Sequence, residues 1–292
     1  MRYRYAKIDA FTYDRSRGNP AACLYLERDE FLDAATMLEI AREHKGFVSE
    51  VVYCTPHSDG SYTLRYYSSE CEVEFCGHGT IACMYDVFGS SPEMAERHEA
   101  VIRTRKGSLN VYNDRAARDA VYITAPDPEY GMSEWDIDTV ASAFDVSPGM
   151  MDDGYPIRVI NAGLNTLIVP MVSRHAVLGL EPDEQRLKTF CFERGVDIVL
   201  VFTTDVSARE NKIRTRVFAP KFGYLEDPAT GSGNSAMGYY MKNHDMWDGQ
   251  PISIEQNGEE KVYNLVKLKM MEERVLFGGG ATVRIRGEYI SD

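Results

Sequence analysis

Apolar and polar positions alternate along most of this chain in short runs, and helical spacing interrupts them only a few times. Residues 5–11 and 21–26 are apolar, β-rich runs on either side of the turn residues Arg17-Gly18-Asn19-Pro20, which predicts strand, turn, strand. In 33–43 the apolar residues Ala34, Met37, Leu38 and Ala41 recur at i, i+3, i+4 and i+7. That spacing predicts an amphipathic helix, with Asp33 at its start and Gly46 just past its end. Strands are expected at 48–54 and 62–67, a helix at 79–88, a hairpin of 101–105 with 109–112, and a strand at 121–124. Pro126, Pro128 and Gly131 mark 125–132 as a linker. The order then recurs. Helices are expected at 137–144, 183–194 and 233–243, and strands at 157–160, 167–170, 198–203, 213–218, 252–256, 263–270, 275–277 and 281–286.

Each half is thus mostly strands with one helix after a glycine turn. The pattern predicts an α+β protein of two pseudo-symmetric lobes, each a mostly antiparallel sheet wrapped around a central helix, and excludes a doubly wound βαβ sheet. A length of 292 residues suits two domains, placed at 1–124 and 125–292, with the last strand free to return to the first lobe.

Two short segments look like copies of one another: Glu72-Val73-Glu74-Phe75-Cys76-Gly77-His78-Gly79-Thr80 and Glu226-Asp227-Pro228-Ala229-Thr230-Gly231-Ser232-Gly233-Asn234. An offset of 154 residues superimposes them, close to half of the chain. It places Glu72 on Glu226, Gly77 on Gly231, Gly79 on Gly233, Ala82 on Ala236 and Tyr85 on Tyr239. The repeat predicts two similar lobes with an active site between them. Neither copy completes Gly-x-Gly-x-x-Gly, because Ala82 and Ala236 stand at the last position, so a dinucleotide site is rejected. A Gly-x-Gly turn opening a helix exposes unsatisfied N–H groups at the positive end of the helix dipole, which suits an anion such as a carboxylate. One such turn is an ordinary helix start; two matched turns point to anion binding.

Composition narrows the partners. A net charge of −13 argues against nucleic acid and against an anionic membrane surface, and no run of about 18 apolar residues is present to span a bilayer. The basic N-terminal residues are followed by no apolar core and no cleavage site, so no signal peptide is expected. The six cysteines form no Cys-x-x-Cys pair and the histidines have no zinc spacing around them, so no metal site is predicted. The expectation is a reduced, cytoplasmic protein with mostly buried thiols.

The side chains beside the turns suit acid/base work. Cys76 precedes a helix N-terminus, where a thiol pKa is expected to fall. His78 exchanges protons near neutral pH. Glu226 and Asp227 stand before the second turn. Each also has a plain structural reading, as a core thiol, a satisfied polar group or a solvated loop. Glu50 lies in the apolar run Phe47-Val48-Ser49-Glu50-Val51-Val52-Tyr53. Its carboxylate either faces water or is buried with its pKa raised by desolvation, and alternation does not decide between them.

Taken in order, Ile8-Asp9-Ala10-Phe11, Gly18-Asn19-Pro20-Ala21-Ala22, Ser49-Glu50, Phe75-Cys76-Gly77-His78-Gly79, Arg216-Val217-Phe218-Ala219-Pro220 and Glu226-Asp227-Pro228-Ala229-Thr230-Gly231-Ser232 resemble the phenazine-biosynthesis PhzF-like family, which has the diaminopimelate epimerase fold. The resemblance implies a cofactor-independent isomerase or epimerase, usually a homodimer. It would move a proton alpha to the carboxylate of a small amino-acid-like or hydroxy-acid-like substrate. It implies Glu50 as general acid/base and assigns substrate contact and proton movement to His78 and Asp227. Gly77, Gly79, Gly231, Ser232 and Gly233 become carboxylate-holding turns with Cys76 and Thr230 at their heads, and Asn19 a polar residue at the cleft. Cys76-Gly77-His78-Gly79 is also similar to proline racemases and hydroxyproline dehydratases, where such a Cys is an acid/base paired with a second Cys. Here the second position is Thr230. A one-thiol racemase or dehydratase and a non-catalytic carboxylate-binding protein are therefore the alternatives. Gln256-Asn257-Gly258 departs from the family's usual Gln-Gly.

Overall fold

Strands, each closed off by turn residues, build the sheet framework of the computed structural model, which describes residues 1–132 and 135–291. The chain divides into two units: Met1–Thr124 together with Gly278–Asp292, and Ala125–Phe277. The first unit contains β1 (Arg2–Ala10), β2 (Asn19–Tyr25), α1 (Ala34–Glu43), β3 (Glu50–Pro56), β4 (Tyr62–Tyr67), β5 (Glu72–Val73), α2 (Gly77–Phe88), α3 (Pro92–Glu96), β6 (Glu99–Thr104), β7 (Gly107–Asn113), α4 (Arg115–Arg118) and β8 (Val121–Thr124). The second runs through β9 (Glu129–Tyr130), α5 (Ile137–Phe144), β10 (Arg158–Asn161), β11 (Asn165–Pro170), α6 (Arg174–Leu178), α7 (Glu184–Glu193), β12 (Ile198–Thr203), β13 (Ile213–Phe218), β14 (Glu226–Asp227), α8 (Gly231–Asn243), β15 (Ile252–Gln256) and β16 (Asn264–Met271), and ends within β17 (Arg274–Gly279). The last strand, β18 (Ala281–Ile290), belongs to the first unit and pairs antiparallel with β1.

The two units share one internal topology. In the first, β1–β2 is antiparallel, β2–β3 parallel, β3–β4 and β4–β5 antiparallel, β4–β6 parallel and β6–β7 antiparallel. In the second, the same order holds for β10–β11, β11–β12, β12–β13, β13–β14, β13–β15 and β15–β16. The repeated glycine turn is thus the most visible remnant of a repeat that includes the whole strand order, and the α+β reading holds.

Each sheet carries a helix on either face. α1 is amphipathic, with Met37, Ile40 and Ala41 packed against Leu24, Val51 and Tyr53. Asp33 caps it, accepting from the amides of Ala35 and Thr36 at 3.0 Å. α5 and α7 cover the matching face in the second unit through Val140, Phe144, Leu187 and Phe190. The other helix of each pair, α2 or α8, is apolar nearly all round and buried along most of its length. The segment expected as a linker carries β9, which pairs with β10 through Tyr130 and Glu129. The short helices α3, α4 and α6 were not anticipated, since four or five residues are too few for a period to register.

Buried charges fix the frame. Asp9, in the Ile8-Asp9-Ala10-Phe11 string, is 3% exposed and accepts from Arg284 of β18 at 2.8 Å and from Lys7. In the second unit Arg214 and Glu255 are fully buried and paired at 3.2 Å. Glu255 also accepts from the amides of Ser207 and Ala208 and from Asn211. Burial pushes the Glu255 pKa up, but these donors outweigh it and hold the carboxyl below its ordinary value. Its contribution to stability is therefore present above the unfolded carboxylate pKa and lost as pH falls through the lower folded one. Among the described residues, no helix is long and apolar enough to cross a membrane.

Removing one partner of a buried pair leaves an uncompensated charge, at about 3–5 kcal/mol. Urea unfolding of Arg214→Met is expected to show a loss of that order. The double variant Arg214→Met with Glu255→Leu should lose less than the two single variants together. Additive losses would mean that the pair itself is not what holds this part of the second unit.

Candidate active site

Glu50 is positioned by strand alternation on a sheet with two buried faces. Val51 and Tyr53 turn toward α1, so Glu50, Val52 and Cys54 turn toward α2. Val52 lies against the first turn of that helix: a Cβ added to Gly79 would come within 2.9 Å of its side chain. Gly79 is therefore needed for the helix start to approach the strand this closely. The carboxylate of Glu50, two residues before Val52 on the same face, reaches the end of α2.

That end is built from Cys76, Gly77 and His78. Cys76 is the extended residue before the helix, and its sulfur accepts from the Gly79 amide at 3.3 Å. Thr80 donates to the Cys76 carbonyl at 2.7 Å, and the hydroxyls of Tyr66 and Thr80 are 2.6 Å apart, which ties the turn to β4. The His78 imidazole lies between an acid and a thiol: Nε2 is 3.1 Å from Glu50 Oε2, and Nδ1 is 3.4 Å from Cys76 Sγ. Sulfur and carboxylate are 3.9 Å apart. The side chains of His78 and Glu50 keep 13% and 21% of their exposure, so the cluster is sheltered but reachable.

The electrostatics differ from expectation at Cys76. Burial raises the thiol pKa; His78 and the Gly79 amide pull it back only in part, and Glu50 adds to the rise. The fall expected from the helix end is overridden because the sulfur is buried beside a carboxylate. For His78, burial opposes the charged form, but Cys76 and Glu50 outweigh it and hold the pKa well above 6.5.

The second turn is assembled differently. Thr230 precedes α8, but its hydroxyl donates to Asp227 Oδ2 at 2.6 Å and makes no cap hydrogen bond to the helix amides. Gln256, at the end of β15, accepts from the Thr230 amide at 3.0 Å and donates to the Asp227 carbonyl at 2.8 Å and to Thr230 Oγ1 at 3.1 Å. A Cβ on Gly231 would fall within 2.3 Å of the Phe277 ring, so only glycine fits there. Ser232 is half-buried and Gly233 buried. Asn19, the first residue of β2, is buried opposite Ala10.

Strand registers show which positions correspond in the two units. Val51 pairs with Tyr67, and Val199 with Phe218. Glu50 therefore matches Ile198, and Arg65 matches Arg216. Both arginines bind the repeated glutamate bidentately: Arg65 to Glu72 at 2.8 Å twice, Arg216 to Glu226 at 3.0 and 2.8 Å. Alternation alone did not single out these arginines; paired with the repeated glutamates, they are the signal that was available. The chemistry is not duplicated. Where the first unit has Glu50, Cys76 and His78, the second has Ile198, Thr230 and Ser232.

The family model for phenazine biosynthesis-like proteins matches residues 8–287. The uncharacterized isomerase YfhB of Bacillus subtilis is 27% identical over 97% of this chain and 94% of its own length. The trans-2,3-dihydro-3-hydroxyanthranilate isomerase of Pseudomonas fluorescens is 24% identical over 96% of this chain and 99% of its own. A crystal structure of a Bacillus anthracis phenazine biosynthesis protein of the PhzF family superimposes with a TM-score of 0.85 at 20% identity, covering all of both chains.

The raised His78 pKa has a sign that can be checked. A pKa higher in the folded than in the unfolded state adds stability that is full below about 6.5 and fades as pH rises through the folded value. In an NMR titration the His78 ring should have its midpoint above 6.5, and Glu50→Gln should lower it. A midpoint at or below 6.5 would show that burial, not Cys76 and Glu50, dominates.

Proposed function

The chain belongs to the phenazine biosynthesis-like protein family, and from that membership we propose that Glu50 moves a proton next to the carboxylate of a small amino-acid-like or hydroxy-acid-like substrate. It is an isomerase, as its relatives are named. The observation that carries the proposal is the 3.1 Å contact between Glu50 and His78 at the start of α2. A carboxylate and an imidazole in contact are a general acid/base pair, one taking a proton while the other holds or returns one.

A C–H beside a carboxylate is a very weak acid, and its removal places charge on the carboxylate oxygens. Amides at a helix start are already oriented toward such charge and need no reorganisation as it develops. The turn at Gly77 and His78 supplies such donors, the Gly79 amide being taken by the Cys76 sulfur. We assign Asp227, Thr230, Gly231, Ser232 and Gly233 to carboxylate binding, on the ground that the Thr230 hydroxyl points to Asp227 and leaves the first amides of α8 without a side-chain cap. The chain's own carboxylate and imidazole supply the acid/base groups, so this reading needs no cofactor.

A second reading makes Cys76 the base. Its support is the sulfur's contact with His78 at 3.4 Å. Against it stand the burial that raises the thiol pKa, the use of the sulfur as helix cap, and Thr230 in place of a second thiol.

Acid/base catalysis contributes about 100-fold to 10,000-fold. Glu50→Gln keeps the size of the side chain but removes the ionisable group, and should lose at least ~100-fold in solvent-deuterium exchange into substrate. Cys76→Ala should lose much less. Exchange that survives Glu50→Gln but vanishes in Cys76→Ser would transfer the role to the thiol and overturn the proposal.

A further inference from the structure

We propose that Glu50, Cys76 and His78 form a binding site for Zn²⁺, and that zinc bound there inhibits the enzyme. The binding rests on geometry alone; the inhibition rests on the reading of Glu50 as the base.

The three ligand atoms lie within 4.8 Å of one another. Taking His78 Nε2, the triangle has sides of 3.1 Å to Glu50 Oε2, 3.9 Å to Cys76 Sγ, and 3.9 Å between sulfur and carboxylate. A point equidistant from corners spaced at 3.1, 3.9 and 3.9 Å is about 2.1 Å from each, and zinc bonds nitrogen and oxygen at about 2.0–2.2 Å and sulfur at about 2.3 Å. The sulfur lies nearer Nδ1 than Nε2, so the His78 ring must turn to aim its Nε2 lone pair at an ion there, after which zinc meets all three ligands.

The donor set selects the ion. A thiolate with an imidazole suits zinc and other borderline metals, whereas Mg²⁺ and Ca²⁺ require oxygen ligands and octahedral or larger shells. Three protein ligands leave a fourth position open. The Gly79 amide, donating to the sulfur, is an outer partner of the kind that orients a metal-bound thiolate. Sequence spacing did not reveal the set, because Glu50 comes from β3 and the other two from the start of α2.

Occupation removes both acid/base groups. A metal on Glu50 Oε2 and His78 Nε2 takes the lone pairs that would accept a proton. Zinc would therefore inhibit and chelation would restore activity, the reverse of a zinc enzyme.

The test uses the full-length, chelator-treated protein. Titration with Co²⁺ should produce a near-ultraviolet sulfur-to-metal charge-transfer band, and competition of Zn²⁺ against a chromophoric chelator should give one ion per chain. Cys76→Ser, Glu50→Gln and His78→Asn should each weaken zinc binding by at least ~10-fold, the lower end of the loss from removing even an outer-shell partner. Cys71→Ser, which alters an exposed thiol, should leave it unchanged. No charge-transfer band in the unmutated protein, or zinc binding that Cys71→Ser abolishes and Cys76→Ser does not, would overturn the site. Zinc bound with the expected variant pattern but without effect on solvent exchange would keep the site and overturn the inhibition, together with the role given to Glu50.

Discussion

A helix buried on nearly every side can present polar groups only at its ends. That constraint organises both units. α2 and α8 are each covered by their own sheet, so their side chains are occupied with packing and their first turns are where chemistry remains available. The glycines follow from it: Gly79 lets the helix start lie against Val52, and Gly231 leaves space for the Phe277 ring. The unsatisfied amides of a helix start are the same groups that make it an anion site. The packing demand and the functional demand thus fall on the same three or four residues.

Around this constraint the repeat has diverged in one respect. The strand order, the bidentate arginine–glutamate pairs and the buried helices are present twice. The polar side chain that bonds the carbonyl before the helix is also present twice, as Thr80 and as Asn234. The acid/base groups are present once. Ile198 stands where Glu50 does, so the face of the second unit at that point is apolar. A carboxylate at such a place is costly without a partner, and His78 is the partner that makes it tolerable. In the second unit the polar demand is met by Asp227, Thr230 and Gln256 instead, in a network whose links are hydrogen bonds of 2.6–3.1 Å.

Local signals in the sequence were enough for most of the fold. The strands at 62–67, 121–124, 198–203, 213–218 and 252–256 and the helix at 137–144 occupy the expected residues, because turn chemistry bounds each of them sharply. The cap at Asp33 was readable for the same reason. Two-residue strands such as β9 are defined only by a partner distant in sequence, and so were not readable. The direction of Glu50 was also not readable. Alternation distinguishes inside from outside only when one face meets water, and β3 has a helix on both faces. The pKa of Cys76 was read in the wrong direction because sequence shows the helix end but not the burial or the neighbouring carboxylate. The proximity of Glu50, Cys76 and His78 needed the crossing of β3 with α2, which no spacing along the chain encodes.

The buried thiol has its own physical logic. Cys76 stands where Ser, Thr, Asn or Asp usually caps a helix, yet its sulfur does the capping, at the longer 3.3 Å distance that sulfur requires. A carboxylate there would face Glu50 as a like charge. A hydroxyl would accept the Gly79 amide and remain inert. A thiol accepts the same amide, stays neutral while burial holds its pKa up, and is polarizable beside an imidazole that carries the proton. In this arrangement the proton resides on His78, with Glu50 as its nearest acceptor at 3.1 Å and the sulfur at 3.4 Å on the opposite ring nitrogen. The imidazole can pass charge to the carboxylate without the thiol ionising, so Cys76 can serve as cap and polarizable neighbour while Glu50 does the proton transfer.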